Sequence, residues 1–154
     1  MRETVIDTEA TGLDPLDGHR IVEIGAVELI NRSPSGQTFH CYLCPERSIP
    51  ADALAVHGLS AEFLADKRLF GDVADEFLAF VGDAPLVAHN AGFKQCLSQC
   101  RAKAHGQATY WNRARDRHRW CWRDASIPAD HLGSPLCQVV RRAVGMHPVH
   151  HLAA

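Results

Sequence analysis

The sequence predicts an α/β domain built on a mixed sheet. Three observations carry that expectation. A β-branched run near the start ends in an acid, two alternating stretches follow between turns, and an amphipathic helical segment then leads into another short apolar run.

Thr4-Val5-Ile6-Asp7 reads as a buried strand. Gly12, Asp14, Pro15 and Asp17-Gly18 then break the chain into a loop. From Ile21 to Leu29 the residues alternate, with Ile21, Glu23 and Gly25 on one side and Val22, Ile24 and Ala26 on the other, as a strand requires. Thr38 to Leu43 reads as a third strand, set off by a turn at Ser33-Pro34-Ser35-Gly36. Three strands joined by turns imply an antiparallel meander. Ser60 suits a helix N-cap, with Glu62 in the first turn ahead of Phe63 and Leu64. Leu69, Val73, Phe77, Phe80 and Val81 recur at helical spacing, with Asp72, Asp75 and Glu76 between them, and Gly82 stops the helix. Leu86-Val87-Ala88 is a brief strand running into His89-Asn90. Lys94 to Arg123 shows neither a helical nor a strand period, and only Leu136 to Val144 has a short helical pattern.

A chain of 154 residues with 46% apolar content is one domain's worth, able to bury a core and unlike a disordered sequence. The net charge of −2 gives no sign of a globally basic nucleic-acid binder. It leaves room for an enzyme that gathers carboxylates around a metal. No stretch approaches the roughly 18 apolar residues of a membrane span. The start, Met1-Arg2-Glu3-Thr4, lacks a signal peptide's apolar segment, so a soluble cytoplasmic protein without membrane attachment is expected.

The composition changes along the chain. Acids are common up to Asp83, but beyond Phe93 only Asp116, Asp124 and Asp130 remain. All three tryptophans (Trp111, Trp120, Trp122) and four of the six cysteines (Cys96, Cys100, Cys121, Cys137) lie in that second part. The expected organisation is therefore residues 1–93 as the N-terminal part of one domain and 94–154 as an off-pattern continuation.

The chemistry centres on Asp7-Thr8-Glu9. Residues two apart on a strand point to the same face, so the two carboxylates project together. Paired carboxylates repel unless a cation sits between them, and hard oxygen donors of this kind suit Mg²⁺ or Mn²⁺. Two such ions can activate a water and stabilise the leaving oxygen of a phosphodiester. The tripeptide alone fits equally well a strand whose acids merely face solvent.

Its surroundings are more specific. Asp7-Thr8-Glu9-Ala10-Thr11-Gly12-Leu13-Asp14, followed by Arg20-Ile21-Val22-Glu23-Ile24-Gly25-Ala26-Val27, resembles the first motif of the DEDD exonuclease superfamily. Phe39-His40, Tyr42-Leu43, Pro45-Glu46-Arg47, Val56-His57-Gly58-Leu59 and Glu62-Phe63-Leu64 narrow the resemblance, and Val87 to Phe93, with His89-Asn90-Ala91, resembles the start of the second motif. Over about residues 2–93 the chain resembles the DnaQ-like family of proofreading 3′–5′ exonucleases, the epsilon subunits of DNA polymerase III. That resemblance implies a ribonuclease H-like fold with flanking helices, incomplete or irregular in its C-terminal part. It implies Asp7 and Glu9 as catalytic metal ligands for Mg²⁺ or Mn²⁺ in a two-metal site. Thr8, Thr11, Gly12, Leu13, His57, Asn90 and Phe93 would bind the terminal nucleotide or shape its cleft. The implied substrate is a single-stranded or frayed DNA 3′ end, and the implied partner is the catalytic alpha subunit of the polymerase.

The chain departs from the family after Phe93. Lys94 stands where the family has its next aspartate ligand, and no histidine here is followed five residues later by an aspartate, as the family's general base is. The expectation is an impaired nuclease. A change of reading frame near residue 93 accounts both for the lost motifs and for the shift in composition. Two other classes compete. Cys41-x-x-Cys44 and Cys96-x-x-x-Cys100 could be read as zinc ligands, although Cys41 and Cys44 are three apart on a strand and face opposite sides. Arg113, Arg115, Arg117, His118, Arg119 and Arg123, interleaved with Trp120 and Trp122, could make a non-catalytic nucleic-acid binder.

Overall fold

A computed structural model describes residues 1–12, 17–88 and 135–146. Four strands form one mixed sheet in the order β3-β2-β1-β4: β1 is Arg2–Ala10, β2 is Ile21–Ile30, β3 is Ser33–Tyr42 and β4 is Leu86–Ala88. β1 and β2 pair antiparallel, as do β2 and β3, which gives the expected meander. β4 then pairs parallel with β1, Val5 facing Val87. The connection between them contains helices α1 (Ala51–His57), α2 (Ala61–Leu64) and α3 (Phe70–Val81), as a parallel crossover demands. Helix α4 (Pro135–Val144) covers the short helical pattern expected from Leu136 to Val144.

The turn between β2 and β3 is not where the sequence pointed. Ser33-Pro34-Ser35-Gly36 lies within β3, and the reversal falls on Asn31-Arg32, between the paired residues Ile30 and Ser33. Both turn residues have positive φ (50° and 68°), the geometry whose twist matches a two-residue hairpin. Proline at 34 is tolerated because β3 is the edge strand and its outer side needs no partner. Helix α1 was not anticipated either, since seven residues are too few to reveal a period. The expected cap of α2 is present: Ser60 Oγ accepts the Phe63 N–H at 3.2 Å. Helix α3 begins one residue after Leu69, whose N–H reaches the Asp72 carboxylate, and ends at Gly82.

Alternation along β1 and β2 divides the interior in two. Ile6, Ile24 and Ala26 join Val73, Phe77 and Val81 of α3, with the Phe39 ring of β3 tilted against Phe77, centroids 5.4 Å apart. Val5, Val27 and Leu29, on the other face, pack against Val140 and Met146 at α4. Burying each large apolar side chain contributes roughly 1.5–3 kcal/mol, so each face has its own source of stability. Arg2 locks the edge of this arrangement, donating to the backbone carbonyls of Phe80 and Val81 at the end of α3. No helix among the described residues is long and apolar enough to cross a membrane.

Candidate active site

Asp7 and Glu9 sit two apart near the end of β1 and leave the strand on the face covered by α4. Glu23 of β2 lies directly opposite Glu9 and is fully buried. Three carboxylates therefore crowd one end of the sheet. Two groups answer them. His40 Nε2 lies 2.7 Å from Glu23 Oε1. Arg141 of α4 spans the other two, with Nε 2.9 Å from Asp7 Oδ2 and a terminal nitrogen donating to Glu9 Oε1. Burial pushes the Glu9 carboxyl above its ordinary value; Arg141 pulls it back, while Asp7 and Glu23 push it further up.

Helix α4 can bring Arg141 this close because of Gly25, which faces Asp7 across the β1–β2 ladder. A Cβ at position 25 would lie 2.4 Å from Met146 Sδ and 3.0 and 3.1 Å from methyls of Val144 and Val140. Only a glycine leaves room for the helix to settle on the sheet there. The site is thus framed by apolar packing on α4 and by strand register on β1 and β2.

The expected substrate-binding residues fall in different places. Thr8 alternates with Asp7 and Glu9, so it leaves β1 on the opposite face, and its N–H donates to Asp7 Oδ1. Thr11 is buried and committed to the loop: its N–H donates to the Arg20 carbonyl, its Oγ1 accepts from the Arg20 N–H at 2.9 Å, and it also meets His19 Nδ1. The Thr11 amide expected to face a nucleotide is therefore occupied. Gly12 lies under the His19 ring, where a Cβ would come within 2.4 Å of Cε1. His57 is 1% exposed at the end of α1, its Nδ1 accepting the Leu59 N–H at 3.0 Å. Leu13, Asn90 and Phe93, and the Arg/Trp cluster from Arg113 to Arg123, lie outside the described residues. Cys41 points into the α3-side core.

Oxygen donors such as Asp7 and Glu9 suit a hard divalent cation. In the described arrangement the Arg141 guanidinium lies against both carboxylates and takes the place a cation would occupy. Arg141, Glu23 and His40 belong to the site, yet sequence reasoning assigned none of them a role. The signal for Arg141 was its place beside Val140 in the one helical pattern of the second part.

The exonuclease family model matches residues 4–132. The DNA polymerase III subunit epsilon of Rickettsia felis is 56% identical over 93 residues, which are 60% of this chain and 41% of that protein. The same subunit of Escherichia coli is 49% identical over 96 residues, 60% of this chain and 40% of that one. The chain thus spans about two-fifths of the length of these relatives. Exonuclease X, solved with 5′ overhanging duplex DNA, is 32% identical with a TM-score of 0.51, covering 60% of this chain and 51% of its own. The nuclease domain of 3′hExo, a DEDDh family member bound to rAMP, has a TM-score of 0.56 at 21% identity over 65% of this chain and 58% of its own. It shares the ribonuclease H-like fold. This chain belongs to the exonuclease family, and over 93 residues it is similar to the epsilon subunits of DNA polymerase III.

Proposed function

We propose that this chain carries the N-terminal part of a metal-dependent 3′–5′ DNA exonuclease of the proofreading type, impaired as the chain stands. The observation that carries the reading is the pair Asp7 and Glu9, held on one face of β1 within the segment most similar to the epsilon subunits. The reaction is hydrolysis of the 3′-terminal phosphodiester: water adds at phosphorus, the P–O3′ bond to the preceding nucleotide breaks, and a nucleoside 5′-monophosphate leaves. Asp7 and Glu9 are its ligands for Mg²⁺ or Mn²⁺. The substrate is a frayed or single-stranded DNA 3′ end, and the partner is the alpha subunit of the polymerase. Impairment follows from Lys94, which stands in place of a further acid, and from the missing general base, whose loss typically costs about 10²–10⁴-fold. Residues 94–154 are read as an off-frame continuation of a 1–93 core.

The test is stepwise 3′-end shortening of 5′-labelled single-stranded DNA in Mg²⁺ and in Mn²⁺. Slow, divalent-dependent shortening from the 3′ end that vanishes in Asp7→Ala is the expected result. Shortening that persists undiminished in Asp7→Ala would sink the assignment.

A further inference from the structure

A pair of largely buried carboxylates must find positive charge, and this chain provides its own. Asp7 and Glu9 side chains are 13% and 10% exposed, and Arg141 is 18% exposed where it meets them. Its guanidinium stays charged at every physiological pH and is broad enough to contact two carboxylates at once. Nor is it a loose surface side chain. Val140, the preceding residue, is fully buried against Val5, Val27 and Leu29, and Met146 closes the same cluster after the helix. Gly25 supplies the clearance that lets this helix lie flat beside Asp7. Arg142, next in sequence, is exposed, so the register of α4 chooses which of two adjacent arginines enters the site.

We infer that Arg141 is the resident cation of the Asp7–Glu9 pair and competes with divalent metal for the same oxygens, so that α4 seated on the sheet is a metal-excluding state. This rests on the reading of Asp7 and Glu9 as the metal ligands. With α4 in place, an entering divalent ion meets two carboxylates already neutralised in part and a fixed positive charge beside them. Binding the ion requires the guanidinium to withdraw. The charge balance of the site is the same whether the helix is a regulatory element or the by-product of an altered reading frame, so the inference concerns the chain as it is.

The experiment titrates the full chain with Mn²⁺, following the free-ion signal by electron paramagnetic resonance. Arg141→Gln keeps an unbranched polar side chain but shortens it and removes the charge. It is expected to bind Mn²⁺ at least tenfold more tightly than the parent chain, and Asp7→Asn in the same background should cancel the gain. Unchanged Mn²⁺ affinity in a folded Arg141→Gln chain overturns the inference. A second measurement needs no variant. Phenylglyoxal labelling of the parent chain, mapped by mass spectrometry, should modify Arg141 several-fold faster when Mn²⁺ is present, because the guanidinium has been expelled. Equal labelling with and without Mn²⁺ at concentrations that occupy the site overturns it too. The two readings fail separately: gained Mn²⁺ affinity without any nuclease activity leaves this inference standing and removes the exonuclease. Nuclease activity with unchanged Mn²⁺ affinity does the reverse.

Discussion

The two faces of β1 are built from alternate residues of one strand, yet they are held in different ways. On the α3 side, Ile6 meets Ile24, Ala26, Phe77 and Val81, an apolar interior needing no specific partner for any side chain. The α4 side starts in the same manner, with Val5 against Val27 and Val140, but turns polar within one step along the strand. There Asp7, Glu9 and Glu23 depend on two particular cations or donors, Arg141 and His40. Apolar packing tolerates small displacements because its attraction has no direction. A buried carboxylate loses its compensation when its partner moves, and the uncompensated charge costs several kcal/mol. One face of the strand is therefore set up for stability and the other for responsiveness.

The contrast can be broken most severely at Phe77. It is 1% exposed and packed against the tilted ring of Phe39, so Phe77→Ala should lower unfolding free energy by about 3–5 kcal/mol in urea titrations. A loss under about 1 kcal/mol would mean that the α3 face is not the stabilising one. A smaller effect is expected at Gly25. Gly25→Val overpacks the α4 contact and should cost about 1–3 kcal/mol while freeing α4 from the sheet. Hydrogen exchange should then show α4 amides losing protection with those of α3 unchanged; parallel loss in both would merge the two faces into one cooperative unit. The smallest effect is chemical. Burial, offset in part by Arg68, pushes the Cys41 thiol up to about 11 from an ordinary 9.0. At pH 8 the folded chain should alkylate at Cys41 about a hundredfold more slowly than the unfolded chain, as read by mass spectrometry. Because the folded value is the higher one, this thiol's contribution to stability is complete below its ordinary value and fades as pH rises towards about 11. Rapid labelling would show that the α3 face opens easily.

Much of this contrast was legible in the residues. Alternation in Ile21 to Leu29 fixed β2, the helical recurrence of Val73, Phe77 and Val81 fixed α3, and the two-residue spacing of Asp7 and Glu9 placed both on one face. What was not legible had long-range causes. The hairpin turn fell on Asn31-Arg32 because the pairing of Ile30 with Ser33 decides it, against the local turn preference of Pro34 and Gly36. That Thr11 meets Arg20 through both its amide and its hydroxyl depends on the return of the chain nine residues on, which no local pattern shows. Arg141 could not be assigned to the site because no local rule connects position 141 with positions 7 and 9. That link exists only through the packing of Val140 and Met146.

The pairing of β1 has a consequence for how the chain acquires its structure. β1 pairs with β2 and β2 with β3 through short connections, so that meander can form as soon as its residues are available. Its other edge waits for Leu86–Ala88, which joins Thr4 to Ile6 only after all of α1 to α3 has been made. During synthesis the strand carrying Asp7 and Glu9 therefore spends an interval with one row of backbone donors and acceptors unpaired, an open edge that can recruit another nascent chain. Asp7 and Glu9 lie just past that stretch, and like charges brought opposite one another disfavour pairing, so the edge ends in residues that oppose a second copy in register.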